Sequence, residues 1–272
     1  MRLRHPASHQ YFLLSLHHGI STVILLFFAA LLGGVMNAFA GGGSFITFPS
    51  LLFTGVPAVP ANATNTIALW SGLVFSGGAF RHHLKVRRVI LVTLMTVSLV
   101  GGTIGAILLL RTPAQTFMRV LPWLMLAATL LFILGRKLIR PGSSEVSQDV
   151  STRAIVTASF FQLLVAIYGG YFGGGMGIVI LAMLTAFGMA DIHEMNALKI
   201  MLSSSTNGIA VIVFIVSRAV YWREAIVMIL GASLGGYFGA RYSLRLPQTW
   251  VRRFVISVGA VMTTYFFVRA YS

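Results

Sequence analysis

The chain has 272 residues, of which 57% are hydrophobic and only 9% charged, with a mean hydropathy of +0.88. Soluble domains carry roughly 25% charged residues, so there is too little charge here to cover a water-facing surface. The formal charge of +15 does not point to nucleic acid, because the basic residues sit in short segments between apolar stretches, where they set orientation and meet anionic lipid; the absence of cysteine excludes disulfides, thiolate metal sites and thiol redox chemistry.

In chain order, no Lys, Arg, Asp or Glu occurs between Arg4 and Arg81. A spanning helix needs about 20 mostly apolar residues, so this stretch holds more than one element. A long helix over roughly Tyr11–Val35 leads in. It lacks a small-residue cleavage pattern followed by polar sequence and reads as a first span, not a signal peptide. The triplet Gly41-Gly42-Gly43 then breaks the apolar run, and a short apolar piece, Ser44–Leu52, follows. After a polar turn with Asn62, Thr64, Asn65 and Thr66 come further helices, including the uncharged stretches Val89–Leu110 and Val120–Gly135. A basic segment with Arg136, Lys137 and Arg140 links to a second series. There a lead-in helix over Ala154–Tyr168 precedes Gly173-Gly174-Gly175 and the short piece Met176–Phe187. The uncharged stretches Ile200–Ser217, Ala225–Ala240 and Phe254–Val268 complete the chain. The short pieces, of nine and twelve residues or about 14 and 18 Å, are short for a hydrocarbon core of roughly 30 Å, so each is expected to be a re-entrant helix or half of a broken one.

The two series match. GGTIGAILLLRTPAQTFMR, Gly101–Arg119, aligns with GGYFGARYSLRLPQTWVRR, Gly235–Arg253, and the same offset pairs Asn62 with Asn196, Ala63 with Ala197 and Ser71 with Ser205. Gly41–Gly43 finds its counterpart in Gly173–Gly175 after a two-residue gap. Chance among glycines does not easily yield Arg-x-Pro, Asn-Ala and Gly-Gly-x-x-Gly-Ala in one order, so the sequence predicts a duplication. The expected fold is an all-α integral membrane protein of two homologous halves of about four spans each. Each half carries a glycine-broken or re-entrant segment. Residues 1–135 form the first repeat, 136–153 the linker and 154–272 the second repeat. If the short pieces do not cross, the halves are parallel; if they do, the halves are inverted. The positive-inside rule favours a cytoplasmic linker in both cases and does not choose between them.

Glycine and proline at membrane depth free backbone groups that are tolerated only against protein or a water-filled cavity. Transporters place anion sites where helices break, with half-helix N-termini aimed at the ligand. The candidate site residues are therefore Gly41, Gly42, Gly43, Ser44, Asn62 and Asn65 in the first half, with Gly173, Gly174, Gly175, Asn196 and Lys199 in the second. Glycine can also serve only close helix packing, and Asn62 can be only a helix cap. Lys199 stands where the first half has Asn65 and precedes an uncharged helix. It can snorkel to the interface; pointing inward, it calls for an anionic partner. Asp191, His193 and Glu194 read as a solvated helix start, with no metal site. Gln162 reads as a helix–helix hydrogen bond, and the Gly-Gly-x-x-Gly runs as close helix contacts. No nucleotide-binding motif, nucleophile elbow or metalloprotease motif occurs, so neither an enzyme nor a self-contained ATP-driven pump is expected, and no cofactor.

GGGSFITFPSLLFTGVPAVPANATNT in the first half resembles the sulfite exporter TauE/SafE family of membrane transporters. So do GGYFGGGMGIVILAMLTAFGMADIHEMNALKIMLSSSTN and the later GGYFGARYSLRLP run. The resemblance covers about Leu26 to Phe267. It implies a bacterial-type, multi-pass inner-membrane carrier with two repeats of about four spans. The substrates it implies are sulfite, sulfate, thiosulfate and related organosulfur or small organic anions, and the motifs do not fix which. The expected function is secondary transport of a small anion, sulfite or a related organosulfur anion foremost, by export. A passive anion channel, or an uptake carrier for sulfate, thiosulfate or a small carboxylate, stays open. The expected partners are the small anion and membrane lipid, and a homodimer is compatible with the sequence.

Overall fold

The structure, a computed structural model, describes residues 7–39, 41–80, 86–138, 152–189, 191–242 and 248–271. Among them are ten helices: α1 (Ala7–Phe39), α2 (Ser44–Phe53), α3 (Ala58–Phe80), α4 (Arg88–Arg111), α5 (Ala114–Leu138), α6 (Thr152–Tyr171), α7 (Met176–Ala186), α8 (Ile192–Val216), α9 (Trp222–Tyr242) and α10 (Gln248–Tyr271). Six of them, α1, α4, α5, α6, α8 and α10, are long and apolar enough to cross a membrane. Their outward faces carry large exposed apolar side chains such as Phe28, Val92, Phe160, Ile212 and Val261. Such faces suit lipid and would not suit water.

The lead-in helices run further than the sequence pattern predicts. α1 continues past Val35 to Phe39, and α6 past Tyr168 through Gly169-Gly170 to Tyr171. Glycine does not end a helix that is closely packed on a neighbour. A Cβ on Gly34 would lie 2.9 Å from Gly236 N, and one on Gly170 would lie 3.0 Å from Gly102 Cα. The short helices α2 and α7 have 10 and 11 residues, about 15 and 16 Å, each within one residue of the short piece expected from the sequence. The basic linker lies largely outside the described residues, although Arg136 and Lys137 belong to α5 and Arg153 to α6.

Helix direction follows from the small-residue contacts. Built Cβ atoms on Gly231 and Gly239 of α9 meet Leu31 and Val35 of α1 in ascending order. Ser233 of α9 bonds Ser71 of α3 at 3.0 Å, and Ser76 bonds Gly236 O at 3.1 Å. So α1, α3 and α9 are parallel. In the same way Gly101 of α4 meets Ala166 of α6, and Gly105 meets Gly170 and Tyr171, so α4 and α6 are parallel. The five-residue connection 217–221 reaches at most about 20 Å, too short to return along α8, so α8 opposes α9. The connection between α3 and α4 is likewise shorter than either helix, so α4 opposes α3. One bundle, α1–α3–α9, therefore points one way, and a second, α4–α6–α8, points the other. Each takes helices from both ends of the chain. The bundles meet along α3 and α8. α5 and α10 pair antiparallel beside them, joined by Trp123 Nε1 donating to Tyr271 Oη at 2.9 Å and by Tyr271 donating to Arg119 O.

Since α1 and α3 share a direction, α2 must carry the chain back between them, and α7 does so between α6 and α8. Each short helix thus turns back against the long helix before it. The helix ends then sort by charge. Arg87, Arg88, Arg136, Lys137, Arg153, Arg241, Arg252 and Arg253 lie at one end of the molecule, and Arg111, Arg119, Arg218, Arg223 and Arg269 at the other.

Candidate functional site

The two hairpin turns meet. Gly41, with φ +82°, ends the α1 turn, and Gly173 and Gly175, with φ +76° and +78°, shape the α6 turn. These angles favour glycine because a Cβ would crowd the backbone. Gly175 N–H donates to Gly41 O at 3.1 Å, joining the two turns, and a Cβ on Gly41 would lie 3.0 Å from Gly177 Cα. Side chains at this meeting point would push the hairpins apart.

Beside the contact lies a narrow cavity with about 20 Å³ for the centre of a water-sized molecule, room for one water. Gly41, Ser44 and Asn65 line it from the first half, and Gly173 and Lys199 from the second. Around them stand Asn37, Thr66, Leu69 and Leu73, and, from the other side, Phe172, Met176, Ser203 and Asn207. Several are counterparts under the sequence offset: Asn65 and Lys199, Leu69 and Ser203, Leu73 and Asn207.

The two walls differ chemically. On α3, the Asn65 amide is engaged by α2: its Nδ2 donates to Ser44 Oγ at 3.1 Å, and Thr47 donates to its Oδ1. Leu69 and Leu73 continue that wall. On α8, Lys199, Ser203 and Asn207 stand four residues apart and share one helix face. Lys199 is 1% exposed, so it does not snorkel. Its ammonium donates to Asn196 Oδ1 at 3.1 Å and, among the described residues, meets no carboxylate. An ammonium has three donors, so at least part of its hydrogen-bonding capacity remains open. Asn37, Ser203 and Asn207 make no side-chain hydrogen bond among the described residues and are free to bind a ligand.

The other candidates sit behind this cavity. Gly42, Gly43 and Gly174 do not line it; Gly43 O caps the α2 start through Ile46 and Thr47 N–H, and Gly174 O accepts from the Tyr168 hydroxyl. Asn62 is fully buried and donates to Tyr171 O, the last carbonyl of α6, at 2.9 Å. It ties α3 to the opposite hairpin, and its Oδ1 is left without a partner. Asn196 reaches the cavity only through Lys199. Asp191 caps α8 by accepting from His193 N–H at 2.8 Å. Gln162 donates to Ser98 Oγ at 2.8 Å, a helix–helix bond between α6 and α4.

A family model for the sulfite exporter TauE/SafE matches residues 26–266, nearly the whole chain. The chain belongs to the TauE/SafE family. It is a multi-pass membrane transporter. A TauE/SafE chain of this length is also similar to a probable membrane transporter protein of a Sinorhizobium species, 31% identical over 87% of this chain and 89% of that one. A probable membrane transporter protein of Haemophilus influenzae is 30% identical over 90% of this chain and 94% of its own. A third, from Escherichia coli K12, is 28% identical over 88% and 87%. No solved structure matches.

Among the site residues of this TauE/SafE protein, Asn37, Ser203 and Asn207 escape sequence reasoning. A usable signal exists for two of them: Lys199, Ser203 and Asn207 form a polar stripe at four-residue spacing in an otherwise apolar helix. Asn37 stands alone near the end of α1 and gives no such pattern.

Proposed function

We propose that this TauE/SafE protein is a secondary carrier that exports a small anion, sulfite or a related organosulfur anion, across the inner (plasma) membrane. The observation that carries the reading is Lys199, a buried ammonium without a carboxylate partner among the described residues, facing a cavity where two helix turns meet. A buried charge is costly unless paired, and here an anionic substrate supplies the partner. Free donors on Ser203, Asn207 and Asn37 complete its coordination, with Gly41, Ser44, Asn65 and Gly173 forming the remaining wall. Gly42, Gly43, Gly174, Gly175, Asn62 and Asn196 hold these groups in place and do not themselves contact the anion.

The two halves are inverted repeats on this reading, since the helices equivalent under the sequence offset run in opposite directions. The more basic end, with Arg87, Arg88, Arg136, Lys137, Arg153, Arg241, Arg252 and Arg253, faces the cytoplasm. A cavity with room for one water is closed to an oxyanion, so transport requires its walls to part. The parting units are the mixed bundles α1–α3–α9 and α4–α6–α8, whose internal contacts are glycine-tight; movement occurs along α3 and α8. Purified protein in proteoliposomes tests this: saturable flux of sulfite or a related organosulfur anion, lost in Lys199→Gln, is expected. Flux absent for every anion tried, or linear in concentration without saturation, overturns the carrier.

A further inference from the structure

We infer that the site selects its anion by charge, accepting a singly charged anion and rejecting a doubly charged one of similar shape, so that sulfite is taken as hydrogen sulfite. This rests on the anion-carrier reading above and adds a rule to it. Among the lining residues Lys199 is the one ionisable cation, and no acid stands with it. Its counterpart under the sequence offset is neutral Asn65, whose amide is already held by Ser44 and Thr47. Beyond Asn65 the same wall is Leu69 and Leu73, with Phe172 and Met176 adjoining.

One buried ammonium compensates one negative charge. A second negative charge would meet only neutral side chains, Leu69, Leu73, Phe172 and Met176 among them, with no further cation among the described residues, and an uncompensated buried charge is strongly unfavourable. Neutral amides and hydroxyls soften that cost without cancelling it, because they donate dipoles and not charge. The asymmetry between the two half-sites is therefore a selectivity device. A duplicated site with lysine in both halves would hold a dianion; this one, with lysine in one half, holds a monoanion.

Methanesulfonate and sulfate are matched probes, both tetrahedral sulfur anions, with one charge and two. Their binding is measured by thermal shift and by competition in detergent, in choline salts so that no small metal cation accompanies the anion. Methanesulfonate is expected to bind at least about tenfold more tightly than sulfate, and Asn65→Lys to invert the order. Because Asn65→Lys disturbs the contacts with Ser44 and Thr47, Lys199→Gln provides a second reading: methanesulfonate binding should be lost, and a folded variant that keeps it overturns the charge rule. Sulfate binding as tightly as methanesulfonate to the unaltered protein overturns the charge rule while leaving an anion carrier. Binding of neither probe, nor of sulfite, overturns the carrier reading itself.

Discussion

Replacing Lys199 by methionine should move stability and function in opposite directions. The ammonium is 1% exposed and has one neutral hydrogen-bond partner. The effective penalty for burying an ion without a counter-charge is several kcal/mol after relaxation. Methionine has a similar length and no charge, so the substitution removes that penalty. It leaves Asn196 Oδ1 unpaired, which costs about 1–3 kcal/mol if no water reaches it; Asn196 is half-buried, so the lower end applies. The balance is a ligand-free protein more stable by roughly 1–3 kcal/mol, read as a melting temperature higher by a few degrees. Bound anion, in contrast, loses its charged partner. Truncating one member of a buried charge pair costs about 2–5 kcal/mol, equivalent to roughly 30-fold to several thousandfold in affinity. The assay is differential scanning fluorimetry with and without sulfite, alongside flux in proteoliposomes. A Lys199→Met protein that melts lower than the original and keeps its sulfite shift would refute the reasoning, because Lys199 would then be a paired structural residue.

Ser71 and Ser233 are bonded hydroxyl to hydroxyl at 3.0 Å across α3 and α9, and the chain has no cysteine. A disulfide in Ser71→Cys/Ser233→Cys should leave flux intact on oxidation if the bundles move as units; reversible loss of flux would mean that α3 and α9 must slide. Gly105→Leu places a side chain where even a Cβ lies 2.7 Å from Tyr171 N, so the protein should lose at least about 1–3 kcal/mol of stability. Gly19→Ala, whose Cβ would meet only ordinary contact at 3.8 Å, should be neutral or slightly stabilising in the same melting assay. Asn62→Leu uncaps Tyr171 O and should cost about 1–3 kcal/mol, with sulfite affinity in the surviving folded protein changed little. A large affinity loss without a stability loss would put Asn62 back in direct contact with substrate.

Membrane residence was legible in the sequence because charge cannot be hidden in hydrocarbon, and the charge-free stretches announce themselves. The positions of Gly41–Gly43 and Gly173–Gly175 were equally legible, since repeated glycines at membrane depth need a structural reason. Helix ends were less so. Gly169-Gly170 lies just past the expected end of its helix, yet α6 runs through it because α4 lies against it.

The sequence alone shows two segments in which a glycine run precedes Asn-Ala, one with Lys199 where the other has Asn65; the structure starts their helices earlier, at Ala58 and Ile192, so the Asn-Ala pairs lie inside them. Only the tertiary structure decided that the two turns touch, through Gly175 N–H and Gly41 O, and that Lys199 points into the space beside them. It also decided the direction of each helix. Hydropathy is blind to direction, since an apolar helix reads the same from either end, whereas the ascending contacts of Gly231 and Gly239 with α1 are not. Asn62 and Asn65 show the same division. They are three residues apart on one helix and alike in chemistry, but Asn65 faces the cavity and Asn62 faces Tyr171, and only the packing of the opposite hairpin sets them apart.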